Sequence, residues 1–183
     1  MKLIYTAVPI LLGLCTAAVA EDAKPLVANG EAWSYYASQG TPQGKWTTGE
    51  DAAGWKSGTT PIGYGDPGLG TVFSGEKEAS MLYPVAYFRK TVQLSKAQRD
   101  KDFKMTLRCD DGCIAFVNGT EIGRARLEDG PLKPYSAENP MAGEINEFIV
   151  PKALLKERNI FAVEVHQSSR ESSDMRFEAY ITR

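Results

Sequence analysis

Cys109-Asp110-Asp111-Gly112-Cys113-Ile114-Ala115-Phe116-Val117-Asn118-Gly119 carries two turn signals and a strand within eleven residues. Asp-Asp-Gly between apolar runs suits a three-residue hairpin loop whose glycine takes the left-handed conformation. Asn118-Gly119 is the dipeptide favoured where both central residues of a turn need positive φ. The local reading is strand, turn, strand, turn, strand.

Working outward, the alternation that defines half-buried strands recurs on both sides. Upstream, Phe103, Met105 and Leu107 share one face against Lys104, Thr106 and Arg108, and residues 86–94 alternate less cleanly. Downstream, residues 120–124, 147–150, 159–167 and 175–182 read as strands, with Phe161, Val163 and Val165 on one face of the third and Phe177, Ala179 and Ile181 on one face of the last. Residues 32–38, around Trp33 and Tyr35, give a first strand. Residues 95–100 and 152–156 are at most single helical turns. About eight short strands and no long helix predict an all-β fold, a two-sheet antiparallel sandwich.

Two connections stand out. Residues 39–70 are dense in glycine and proline yet contain Trp46, Trp55 and Tyr64, which predicts an irregular wrap pinned by its aromatics. Residues 126–144 form a long loop with Pro131, Pro134 and Pro140, a candidate lid or binding rim.

The first twenty residues place Lys2 before an apolar run from Ile4 to Leu14 and end in Ala18-Val19-Ala20, the layout of a cleavable export signal. The expected organisation is a signal peptide over 1–20, a flexible arm over 21–30 and one domain over 31–183. That places the chain in a secreted, periplasmic or extracellular location. Leu14 stands before Cys15 where a lipid anchor needs a small residue. No later run approaches the roughly 18 apolar residues of a membrane span. Without the leader 20 cations face 23 acids, a net charge of −3, a balance that argues against a nucleic-acid partner. Cys109 and Cys113 flank the proposed hairpin loop, and in an oxidising compartment they are expected to form a disulfide; two buried free thiols are the alternative.

Taken in order, Trp55-Lys-Ser-Gly-Thr-Thr-Pro-Ile-Gly-Tyr-Gly-Asp66, Tyr87-Phe-Arg-Lys90, Asp110-Asp-Gly112 with Phe116-Val-Asn-Gly119, Ala162-Val-Glu-Val-His-Gln167 and Ser172-Ser-Asp174 resemble a galactose-binding-domain-like jelly roll, as in accessory domains of secreted bacterial glycosidases and phosphoesterases. The resemblance implies a non-catalytic sandwich that binds carbohydrate or another extracellular partner.

Candidate site residues are weighed against plainer roles. Asp110 and Asp111 offer oxygens to a structural calcium ion or bond their own turn; no other cofactor is expected. His166 is the only histidine, which excludes a zinc centre of two or three imidazoles. No nucleophile elbow surrounds Ser168, Ser169, Ser172 or Ser173, so a triad with His166 and Asp174 or Glu164 is disfavoured. Trp33, Trp46, Trp55 and Tyr64 are core residues or sugar-stacking faces, with Trp46 the best candidate for exposure. Asn118-Gly119-Thr120 is also a glycosylation sequon. The expected ligand-binding set is Trp46, Asp111, Arg124, His166, Gln167 and Asp174. A structural or assembly protein of an envelope or matrix is the second functional reading, and a small hydrolase the third.

Overall fold

The computed structural model describes residues 24–38, 40–49, 53–74, 83–138 and 145–183. The expected signal peptide and Cys15 lie outside them. Two β-sheets face each other. One has the order β2 (Lys56–Thr59), β1 (Ala32–Ala37), β5 (Val85–Gln93), β10 (Arg158–His166), β7 (Gly112–Val117), β8 (Thr120–Ala125). The other runs β4 (Thr71–Val72), β3 (Ile62–Tyr64), β11 (Met175–Thr182), β6 (Phe103–Asp110), β9 (Ile145–Val150). Every pairing is antiparallel except β3 with β4. The all-β sandwich expected from the alternation is therefore the fold.

The alternating faces meet where expected. Phe103, Met105 and Leu107 of β6, Phe161, Val163 and Val165 of β10, and Phe177, Ala179 and Ile181 of β11 are buried between the sheets. Phe177 stacks on Phe88 at 4.0 Å between centroids and receives the edge of Trp33 at 5.1 Å. Burial of such a ring contributes about 1.5–3 kcal/mol.

Three features depart from the sequence reading. The first is the Asp-Asp-Gly segment, which is not a hairpin. β6 pairs with β9 and β11, whereas β7 pairs with β8 and β10, so the chain crosses here from one sheet to the other. Gly112 is not left-handed; its place is set by close approach, since a Cβ there would lie 2.9 Å from Ala137 Cβ and 3.0 Å from the Arg126 carbonyl oxygen. The expected disulfide is absent as well: Cys109 and Cys113 are buried free thiols on facing sheets. Burial, and then the hydrogen bond between the two thiols, pushes Cys109 well above its ordinary range.

The second departure is the wrap, which contains β2 and β3 and leads directly into β4. Its glycines obscure the strand period because they serve close packing: a Cβ on Gly63 would lie 1.8 Å from the Met175 carbonyl oxygen. The third is the arm. Val27 is fully buried and bridges Ile181, so residues 26 and 27 are fastened to β11. The Asn118-Gly119 turn is as expected, with φ of 52° and 86°.

Candidate functional site

The outward face of the six-stranded sheet divides into a covered part and an open part. Ile160 and Ala162 of β10, Tyr87 of β5 and Phe116 of β7 point away from the sandwich core. Trp46, on a short helical turn (Trp46–Thr48), lies over them. It meets Tyr87 edge-on at 5.1 Å, Phe116 at 5.8 Å and Trp55 at 6.3 Å. Arg89 caps Trp55 at 4.1 Å. Trp46 is only 7% exposed. It is a packing anchor and offers no open stacking face, a correction to the expected platform; flanking polar residues in the sequence concealed how much apolar surface the sheet presents beneath it.

Beside this cluster the same face opens into a hollow of about 380 Å³. Glu164 and His166 of β10, Val85 of β5 and Ile114 of β7 line it with Glu121 and Arg124 of β8. Ser38, Thr41 and, from the long loop, Gly130, Leu132, Lys133 and Pro134 form its rim. Of the expected ligand-binding residues, Arg124 and His166 both line this hollow, but their roles differ. Arg124 donates through Nε and Nη2 to both carboxylate oxygens of Glu121, and through Nη1 to the carbonyls of Glu128 and Gly130. Its guanidinium holds the loop against β8 and leaves little for a ligand. Glu121 is held below its ordinary carboxylate range chiefly by this hydrogen bond.

His166 is almost fully buried, its Nε2 lies 3.1 Å from Glu164 Oε2, and its Nδ1 has no hydrogen-bond partner. An unpaired buried ring nitrogen costs about 1–3 kcal/mol until something bonds it. Sequence reasoning set Glu164 aside as a triad acid; its position two residues before His166 on the same face of β10 was the available signal.

The other three expected residues gather at the end of the sandwich, behind the hollow. Asp111 is 5% exposed and accepts from the Ser168 amide at 2.6 Å, while its own amide donates to the His166 carbonyl. Gln167 is fully buried, donating through Nε2 to the Tyr64 hydroxyl and to the Asp174 carbonyl, and its Oε1 is unpaired. Asp174 accepts from the Ser173 hydroxyl at 2.9 Å. Burial first, then the charges of Asp111 and Asp174, raise the Asp110 carboxyl to about 7. Burial also pushes the Tyr64 hydroxyl up. This group joins loops to strands and does not open into the hollow. Among the described residues no cluster of three or more His, Cys, Asp or Glu side chains is arranged to hold a metal ion.

Two further expectations meet the structure here. Asn118 donates through Nδ2 to Leu154 and Asn159 and accepts from the Ile160 amide, so the sequon side chain is fully engaged. Among the described residues no serine hydroxyl bonds either nitrogen of His166. No helix of the described residues is long and apolar enough to cross a membrane.

No protein-family model and no curated protein matches the chain. Solved structures do. A beta-glucuronidase from an uncultured Clostridium species is similar with a TM-score of 0.53 and 13% identity, over 84% of this chain and 28% of that one. A calcium-binding mutant of Bacteroides uniformis beta-glucuronidase 2 gives 0.52 and 15%, over 82% and 17%. Bifidobacterium dentium beta-glucuronidase complexed with coumarin-3-O-glucuronide gives 0.50 and 13%, over 75% and 19%. The chain therefore spans less than a third of each of these enzymes, and what it shares with them is the fold of one β-sandwich segment.

Proposed function

We propose that this protein is an exported, non-catalytic binding module of the galactose-binding-like kind, and that it takes a carbohydrate in the hollow between β10 and the long loop. The observation that carries the reading is the pairing of Glu164 with His166 on the floor, one imidazole nitrogen unpartnered, beside the apolar wall of Ile114, Val85 and Leu132. Such a surface suits a sugar, whose hydroxyls need donors and acceptors while its ring carbons need apolar contact. The fold likeness to segments of glycosidase chains supports the same class of ligand. Asp111, Gln167 and Asp174 then support the hollow from behind, and Arg124 fixes its rim.

The test is a glycan array followed by calorimetry on the best ligand. Binding that Glu164→Gln or Ile114→Arg weakens tenfold or more, about 1.4 kcal/mol, is the expected result. An array without binders, or binding indifferent to both substitutions, overturns the proposal.

A second reading, a structural or assembly protein, is favoured by one observation. Ile145 and Ile149 are 62% and 59% exposed on the edge strand β9, and uncovered apolar side chains on an edge invite a partner. Light scattering that shows concentration-dependent assembly, abolished by Ile149→Lys, would select it.

A further inference from the structure

The charged groups that line the hollow do not balance on its floor. Glu121 and Arg124 cancel each other: the guanidinium spends four of its five N–H groups on the two oxygens of Glu121 and on the carbonyls of Glu128 and Gly130. Lys133 stands exposed on the rim. Glu164 lies in the middle of the floor, in register with Tyr87 of β5 on one side and Ile114 of β7 on the other. Its side chain is only 20% exposed, and its hydrogen-bond partner among the described residues is His166 Nε2 at 3.1 Å. A carboxylate only accepts, so that nitrogen carries the hydrogen, and with the ring neutral the pair keeps a full negative charge.

We propose that this charge selects the sugar: the hollow takes an amino sugar, its ammonium group seated on Glu164, in preference to neutral sugars and uronates. This choice rests on the carbohydrate reading above and narrows it. A neutral ring laid over a largely buried carboxylate strips away its remaining water and brings no opposite charge in return. An ammonium group replaces that water with charge-assisted hydrogen bonds, about twice as strong as neutral ones. It does so beside the apolar side chains of Val85, Ile114, Leu132 and Pro84, where the local dielectric is low and the attraction is correspondingly larger. A uronate sets a second carboxylate against the first, and Lys133, out on the rim, is the cation left to answer it. The remaining hydroxyls of the ring meet the Thr41 hydroxyl, which accepts from Tyr87 and keeps its own hydrogen to donate.

The experiment is an NMR titration of the intact protein at pH 7 with the methyl β-glycosides of glucosamine, N-acetylglucosamine, glucose and glucuronic acid. The glucosamine glycoside is expected to bind at least tenfold tighter than that of glucose. N-acetylglucosamine, whose amide carries no charge, should bind no tighter than glucose, and glucuronate should bind weakest. In Glu164→Gln, shown to be folded by an unchanged thermal melt, the advantage of glucosamine should shrink below threefold. Ile114→Arg, which sets a guanidinium beside Glu164, should erase it as well and serves should the first variant not fold. Glucose or glucuronate binding as tightly as glucosamine, or an advantage that survives in the folded variants, overturns the inference and leaves the carbohydrate reading standing. Titrations and a glycan array without any binding overturn both.

Discussion

The covered and open parts of one sheet face differ because of what passes over them, since the strands beneath are the same. β5, β7 and β10 send alternate side chains outward along their whole length. Near the start of β10 the wrap lays down Trp46 and Trp55, large rigid rings that fill the space and tie Tyr36, Tyr87 and Phe116 into a second small core. Near its end the overlying loop carries Pro131 and Pro134. Proline has no amide hydrogen to offer the sheet, and this loop forms the rim of the hollow, fastened by the Arg124 guanidinium and by the Ala137 and Glu138 amides. The comparison teaches that the hollow is a matter of withheld packing: the same platform is sealed where aromatics are supplied and left open where they are not.

The largest expected effect breaks the sealed half. Trp46→Ala removes a ring packed against three others and should cost about 3–5 kcal/mol in urea-induced unfolding. The open half offers nothing comparable to lose. Next comes Asn159, fully buried, which accepts from Asn118 and the Lys156 amide and donates to the Lys156 carbonyl, thereby fixing the start of β10. Asn159→Ala leaves those partners unsatisfied, for about 2 kcal/mol by the same measurement. Arg124→Ala should cost only about 1 kcal/mol globally, but exchange at residues 128–130 should quicken markedly because the rim loses one anchor. Glu164→Gln sharpens the contrast from the other direction. It should leave stability within about 0.5 kcal/mol while weakening the proposed carbohydrate binding tenfold or more, a loss that calorimetry reads separately from unfolding.

Much of the sandwich was legible because its determinants are periodic and local. Phe161, Val163 and Val165 announce an inward face whatever their neighbours are. The Asn118-Gly119 turn was equally legible, because it is decided by its own two residues. Asp110-Asp111-Gly112 was not. A glycine preceded by acids signals a turn whether it needs a left-handed φ or merely room, and here Ala137, Leu127 and the Arg126 carbonyl, all distant in sequence from β6, decide the matter. The error on the cysteines followed directly, as cross-strand neighbours in a hairpin became residues on facing sheets.

The candidate site was less legible. His166 and Arg124 share one face of their sheet because β10 pairs with β7 and β7 with β8, an order that strand phase alone does not show. Their chemistry depends on partners the sequence does not show either: Arg124 is occupied by Glu121 and two carbonyls from the long loop. Trp46 was misjudged because its immediate neighbours are polar, while the surface it covers comes from residues forty to more than a hundred positions away.

The engagement of Asn118 has a practical consequence for production. Both ends of its side-chain amide are used to seat the beginning of β10 against the turn. An oligosaccharide attached there would have to be added to the nascent polypeptide, and it would bar that polypeptide from closing. A eukaryotic secretory host should accordingly yield native material that is unmodified at this position, alongside a sugar-bearing fraction retained as misfolded, and Asn118→Asp would not rescue the yield.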